Sequence, residues 1–216
     1  MDELNIILDD ELYQYINRCD LKEGIMILFP DLVCDGKLTG DIFSKQFHDE
    51  RYRSLQMSKN DYDKKIVKPL NFLIHHRYKN LKIWTTYGMN QGMALLLLLG
   101  YLDQNHIHEE ITIYLYDHRM RKLKEYVLDA KGYYSIYENV MVHHNYPKEI
   151  LINPIQKAIP YYLEYQKKEN KLKLFIKNNM SIDTQLLYFK FMEKFFPYQL
   201  TDQQFSKLLY DCQQER

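Results

Sequence analysis

Residues 81–104, LKIWTTYGMNQGMALLLLLGYLDQ, limit the folds open to this chain more than any other stretch. Residues 81–84 form a short apolar run of the kind found in a sheet covered on both faces. Thr85-Thr86-Tyr87-Gly88 ends it. Asn90 is the expected N-cap, because its side-chain oxygen can accept from the free N–H groups of a first helical turn. Residues 93–102 are apolar almost all round, which predicts a buried helix. The run is shorter than the ~20 apolar residues that span a bilayer. The turn falls at the carboxyl end of the strand, the edge at which open α/β sheets bind ligands. The helix start adds unpaired N–H groups that suit an anion. Gly88 and Gly92 match neither a phosphate loop nor a dinucleotide fingerprint. Capping alone is the competing account of Thr85, Thr86, Asn90 and Gln91.

The strand-and-turn pattern recurs. Residues 4–8 (LNIIL) read as a first strand ended by Asp9 and Asp10, and residues 11–19 as a short helix. Residues 25–29 (IMILF) read as a second buried strand, followed by a loop that carries Asp31 and Asp35. Residues 111–116 (ITIYLY) read as a fourth strand that runs into Asp117-His118-Arg119, and residues 125–128 as a further short one. If the strands are parallel, their polar turns share one edge.

Residues 41–57 read as a helix on which Phe43, Phe47, Glu50 and Ser54 share a stripe, with Arg51 beside it. A carboxylate there must be paired, hydrogen-bonded or at an exposed edge. Glu50 with Arg51 is therefore an expected inward polar cluster, functional or structural. Residues 61–78 read as a helix that Pro69 kinks or begins. His75 and His76 at its end suit the helix dipole better than a metal. His106-Ile107-His108-Glu109-Glu110 has no supporting ligand and reads as a solvated connector. Arg119, Arg121, Lys122 and Lys124 form a basic run that can meet a phosphate, although such runs are more often solvated surface.

The second half shows no βαβ rhythm. Helices are expected over 133–143, over the basic stretch 161–178, from a Ser181 cap to before Pro197, and after Thr201, where Gln204 completes a capping box. The fold expected is α/β: a mostly parallel open sheet of at least four strands with flanking helices over 1–130, followed by a helical C-terminal region over 131–216 packed on it.

Lys+Arg and Asp+Glu both number 29. This balance argues against a chain dominated by nucleic acid or an anionic membrane surface. Cys19, Cys34 and Cys212 are odd in number and far apart, without metal-type spacing. The acidic start MDELNIILDDELYQY lacks signal-peptide anatomy, so a reducing cytoplasm is expected. Twenty tyrosines call for many rings with one side packed and the hydroxyl wet.

Several short motifs carry a resemblance. Asp31-Leu32 and Gly36 stand in a loop similar to D-L-x-x-G, one residue longer. Phe47 and Arg51 match an aromatic-x-x-x-R helix, with Asp49 at an acidic position. Trp84 with Gln91 matches a strand-turn-helix, and residues 200–209 are similar to an L-S-x-x-E/Q ending. Together they resemble a bacterial domain-of-unknown-function family of the DUF1835 type, often loosely described as AraC-type regulators. The resemblance spans most of the chain and implies architecture rather than mechanism. One departure is that Thr86 and Gly88 replace the acids often found after the Trp.

The expected site is a polar small-ligand pocket at the carboxyl edge, drawing on Asp9, Asp31, Asp35, Arg51, Thr86, Asn90, Gln91 and Asp117. Arg51 would clamp an anion, phosphate or carboxylate, bidentately, and one Asp could act as a base or hold a metal. No metal, cofactor or nucleophile–base pair is assigned. Two other readings compete. The last two helices resemble the start of a helix-turn-helix, but residues 181–216 carry four bases against five acids, a net of −1 that suits a phosphate backbone poorly. The tyrosine-rich helices could instead form a protein-contact surface.

Overall fold

Among the described residues, five strands form one sheet in the order β2-β1-β3-β4-β5. They are β1 (Glu3–Ile7), β2 (Ile25–Leu28), β3 (Asn80–Thr86), β4 (Ile111–Tyr116) and β5 (Lys122–Leu128). The computed structural model describes residues 3–21, 23–29, 33–75, 78–107 and 109–215. All neighbouring strands are parallel except β4 and β5, which run antiparallel with an irregularity at Leu115/Tyr116. The α/β expectation holds, and the short strand expected over 125–128 begins at Lys122.

Alternation sorts the sheet into two faces. Leu4, Ile6, Leu81, Ile83, Ile111 and Ile113 enter the main core. Ile7, Trp84 and Tyr116 point the other way and pack on Leu12 and Ile16 of α1 (Asp10–Cys19). Trp84 donates its indole N–H to Asn5 Oδ1 at 2.9 Å within that layer. The helices then run α2 (Lys45–Ser54), α3 (Lys59–Tyr62), α4 (Lys68–His75), α5 (Met89–Gln104), α6 (Tyr133–Tyr137), α7 (Asn153–Tyr165), α8 (Lys171–Asn179), α9 (Thr184–Lys194) and α10 (Asp202–Gln214). Helix α5 is buried on nearly every side, as its composition requires, and packs against β3, α6 and α7. No helix among the described residues is long and apolar enough to cross a membrane.

Several local expectations give way to stronger caps. Helix α5 opens at Gly88, and Asn90 lies inside its first turn with its amide turned to Gln204. The helix expected over 161–178 is two, because the Asn170 side chain accepts from the N–H groups of Leu172 and Lys173 and starts α8 afresh. Asp183, rather than Ser181, caps α9. Thr201 and Gln204 form the capping box at α10. Phe43 lies before α2 in a left-handed conformation, φ 59°, and Ser44 is the cap. Glu50 does not turn inward: it reaches Lys37 at 3.4 Å near the surface. Before Pro69 the chain takes a π turn, Asp63–Val67, closed by the Lys68 N–H on Asp63 O. The wider turn accommodates a residue with no N–H to give. His76 and His108 lie outside the described residues.

Chain direction fixes where the loops meet. From β1 the chain passes through α1 to β2 on one side, and from β3 through α5 to β4 on the other. The order therefore reverses between β1 and β3. A crevice opens at such a switch, outside the carboxyl ends of the strands.

Candidate functional site

Asp9 sits at that switch. It caps α1, its Oδ1 accepting from the Leu12 N–H at 2.9 Å. Its Oδ2 accepts from Thr86 Oγ1 at 3.0 Å and Gln91 Nε2 at 3.3 Å. One carboxylate thus ties the end of β1 to the end of β3 and the first turn of α5. Asp117, just past β4, is held differently. Its Oδ1 accepts from the backbone N–H groups of Arg119 and Arg121, both at 2.9 Å. Its Oδ2 accepts from Arg121 Nε at 2.8 Å, with Nη2 at 2.7 Å. The Arg121 backbone N–H is the largest influence, and with the Arg121 side chain it holds the Asp117 carboxyl down at about 2.

The sign of that shift gives a test. A lowered carboxyl pKa stabilises the folded turn fully above the ordinary value of 3.8, and the contribution is lost as pH falls through about 2. The Asp117 carboxyl carbon is expected to titrate in NMR with its midpoint at about 2. A midpoint at the ordinary value would mean that the Arg121 contacts are absent in solution.

A cleft of about 320 Å³ lies over this edge. Asp9, Glu11, Thr86 and Tyr87, after β1 and β3, form its floor, and Asp117, His118 and Met120, after β4, line one side. Phe196 and Gln199 close it from the corner between α9 and α10. Of the expected site residues, Asp9, Thr86 and Asp117 line this cleft, and Gln91 braces Asp9 from beneath. Glu11, Tyr87, His118, Met120, Phe196 and Gln199 were not foreseen. Asp117-His118 was visible as a strand end. Phe196 and Gln199 lie far along the chain and reach the sheet only through the packing of the C-terminal helices.

Asp35, Arg51 and Asn90 form a second, buried cluster. Gly36, at φ 72°, turns the chain so that the Asp35 carbonyl accepts from Arg51 Nη1, and Ser54 Oγ accepts from the Lys37 N–H at 2.8 Å. Arg51 has no exposed surface, so an anion clamp at the cleft is not its position. The Asp35 carboxylate accepts from Tyr165 OH at 2.9 Å, Lys207 Nζ at 2.7 Å and Gln204 Nε2 at 2.9 Å. Gln204 and Asn90 exchange amide hydrogen bonds of 2.9 and 3.1 Å. Burial, and then the Asp35 charge, push the Tyr165 hydroxyl well above its ordinary range, so it stays a donor. Three C-terminal side chains therefore converge on one N-terminal carboxylate. Asp31 lies outside the described residues.

Other tyrosine hydroxyls are also satisfied inside rather than in water. Tyr137 donates to Thr39 O at 2.7 Å and Tyr162 to Met141 O at 3.2 Å. The inner face of α10 is taken up by packing, with Gln204, Phe205, Leu208 and Cys212 buried. No group of three or more His, Cys, Asp or Glu among the described residues is placed to hold a metal ion. In comparison with known proteins, the chain matches no family model, no curated protein and no solved structure.

Proposed function

We propose that this chain binds a small molecule rich in hydrogen-bond donors, neutral or cationic, in the cleft at the β1–β3 switch. The observation that carries the reading is the lining: three carboxylates, Asp9, Glu11 and Asp117, with no Lys or Arg among the lining residues. That replaces the anion expected from the sequence. A carboxylate offers about four lone-pair sites. Asp117 accepts four contacts from the protein, two of them from the Arg121 guanidinium, and so supplies shape more than net charge, which Asp9 and Glu11 carry. Asp9 accepts three and keeps room for a ligand donor. Glu11 is exposed at the rim, and Phe196, 62% exposed, offers an aromatic wall for a ring or a cation. Binding is favoured over chemistry, because both oxygens of Asp9 are engaged in holding β1, β3 and α5 together. Cys19, Cys34 and Cys212 are not joined in disulfides, which supports placing the chain in a reducing cytoplasm.

A thermal-shift screen tests the reading, with primary amines, guanidines, polyols, nucleosides, inorganic phosphate and carboxylates as probes. A compound at a hundred times its Kd adds about 2.7 kcal/mol, worth roughly 5–10 °C in a chain this size. The expected hit is an amine, guanidine, polyol or nucleoside whose affinity falls about tenfold in Glu11→Gln and in Phe196→Ala, the equivalent of ~1.4 kcal/mol. No shift with any class sinks the reading. A hit that keeps its affinity in both variants places binding elsewhere.

A further inference from the structure

The first turn of α5 belongs to both polar clusters. Asn90 exchanges amide bonds with Gln204 of α10, while its neighbour Gln91 donates to Asp9 at the cleft. Gln204 is itself fixed twice more, by Asp35 Oδ2 and by the Thr201 N–H at 3.0 Å. The opposite wall of the cleft enters α10 directly. Phe196 and Gln199 precede Thr201, and Gln199 is left-handed at φ 48°. Gln199 also closes on the start of α5: a Cβ on Gly88 would stand 2.7 Å from its Oε1. Floor and wall of the cleft therefore lean on one joint, the Asn90–Gln204–Asp35 triad.

We propose that seating of α10 on this triad regulates the cleft. With α10 seated, Gln91 braces Asp9 and the Phe196–Gln199 corner is held against Gly88. With α10 released, floor and wall loosen together. The regulatory meaning rests on the ligand reading above, since a ligand that fits the seated cleft must, by reciprocity, tighten α10 as much as α10 tightens the ligand.

Amide hydrogen exchange followed by NMR tests the joint without any ligand. Asp35→Asn puts an amide donor among Gln204 Nε2, Tyr165 OH and Lys207 Nζ, which are all donors. Asn90→Ala breaks the same joint from the α5 side. In each variant the Phe205 and Leu208 amides report α10, the Gly92 amide reports the floor and the Gln199 amide the wall. The Gly92 and Gln199 amides bond to Gly88 O and Phe196 O in the seated state. The expected result is a joint rise of at least tenfold at all four sites, with the Phe29 amide, which bonds to Ile7 O across the sheet, unchanged. Faster exchange in α10 with Gly92 and Gln199 unmoved overturns the proposal, as does an unchanged α10 in Asn90→Ala. Should Asp35→Asn fail to fold, Asn90→Ala decides alone. An empty ligand screen beside joint exchange sinks only the ligand reading, and a ligand hit beside separate exchange sinks only the coupling.

Discussion

Asp35→Ala is expected to cost about 3–5 kcal/mol, because it strands two buried hydrogen-bond donors at ~1–3 kcal/mol each. At roughly 2–4 °C per kcal/mol for a chain of this length, the melting temperature falls by about 6–20 °C. The cost comes from what remains. Gln204 and Tyr165 are buried, and the change leaves the Tyr165 hydroxyl and one Gln204 N–H facing a methyl group. Each stranded donor costs ~1–3 kcal/mol. Lys207 contributes less, since it is 52% exposed and can turn to water. Lys207→Met leaves the buried Asp35 carboxylate to Tyr165 and Gln204 alone and is expected to lose ~1–3 kcal/mol, less than Asp35→Ala. Thermal denaturation of the two variants side by side separates the ion pair from the hydrogen-bond hub. Equal losses would show that the Lys207–Asp35 attraction carries the stability and that the buried donors find other partners.

Much of this architecture could be read from local pattern. Four apolar runs ending in polar turns gave parallel strands with their turns on one edge, and Asp9, Thr86 and Asp117 do meet there. Local pattern also placed the Thr201–Gln204 box, because both partners of a capping box lie within one turn. What it could not do was divide one edge into two sites. Asp35 and Asp9 both follow a strand, and nothing adjacent to either tells which faces solvent. The difference is made by Tyr165, Gln204 and Lys207, more than a hundred residues downstream, which cover Asp35 and leave Asp9 open. Arg51 misled for the same reason. A guanidinium beside an apolar stripe reads as an anion clamp, and only the left-handed turn at Gly36 shows that it reaches a backbone carbonyl. Asn90 shows competition between levels: a good local cap was drawn into a tertiary amide pair, and Gly88 took the helix start.

Gly92→Val is expected to lose about 3 kcal/mol, or roughly 6–12 °C in melting temperature. Gly92 lies in α5 where α7 crosses it. A Cβ there would stand 2.3 Å from Ala158 Cβ and 2.6 Å from Pro154 O. Neither neighbour can rotate away, because one is a β-carbon and the other a backbone oxygen in the first turn of α7. Helix propensity pulls in the opposite direction, since replacing Gly by Ala in a helix gains ~0.8–1 kcal/mol. Overpacking costs ~1–3 kcal/mol and sometimes more. For alanine the two terms largely offset, leaving a loss of up to about 2 kcal/mol. Valine recovers less propensity and adds two methyl groups, so sterics should win clearly. Gly100 provides the comparison, because its added Cβ would meet Tyr137 Cβ at 2.9 Å, a milder approach than the 2.3 and 2.6 Å at Gly92. The expected order of loss is Gly92→Val, then Gly92→Ala, then Gly100→Ala, read from urea denaturation with an unchanged m value. A Gly92→Ala variant more stable than the parent would mean that propensity wins and that α7 can retreat from α5. The C-terminal helices would then rest on the sheet through the Asp35 triad more than through close helix contact, and the loss expected for Asp35→Ala would move to the upper end of its range.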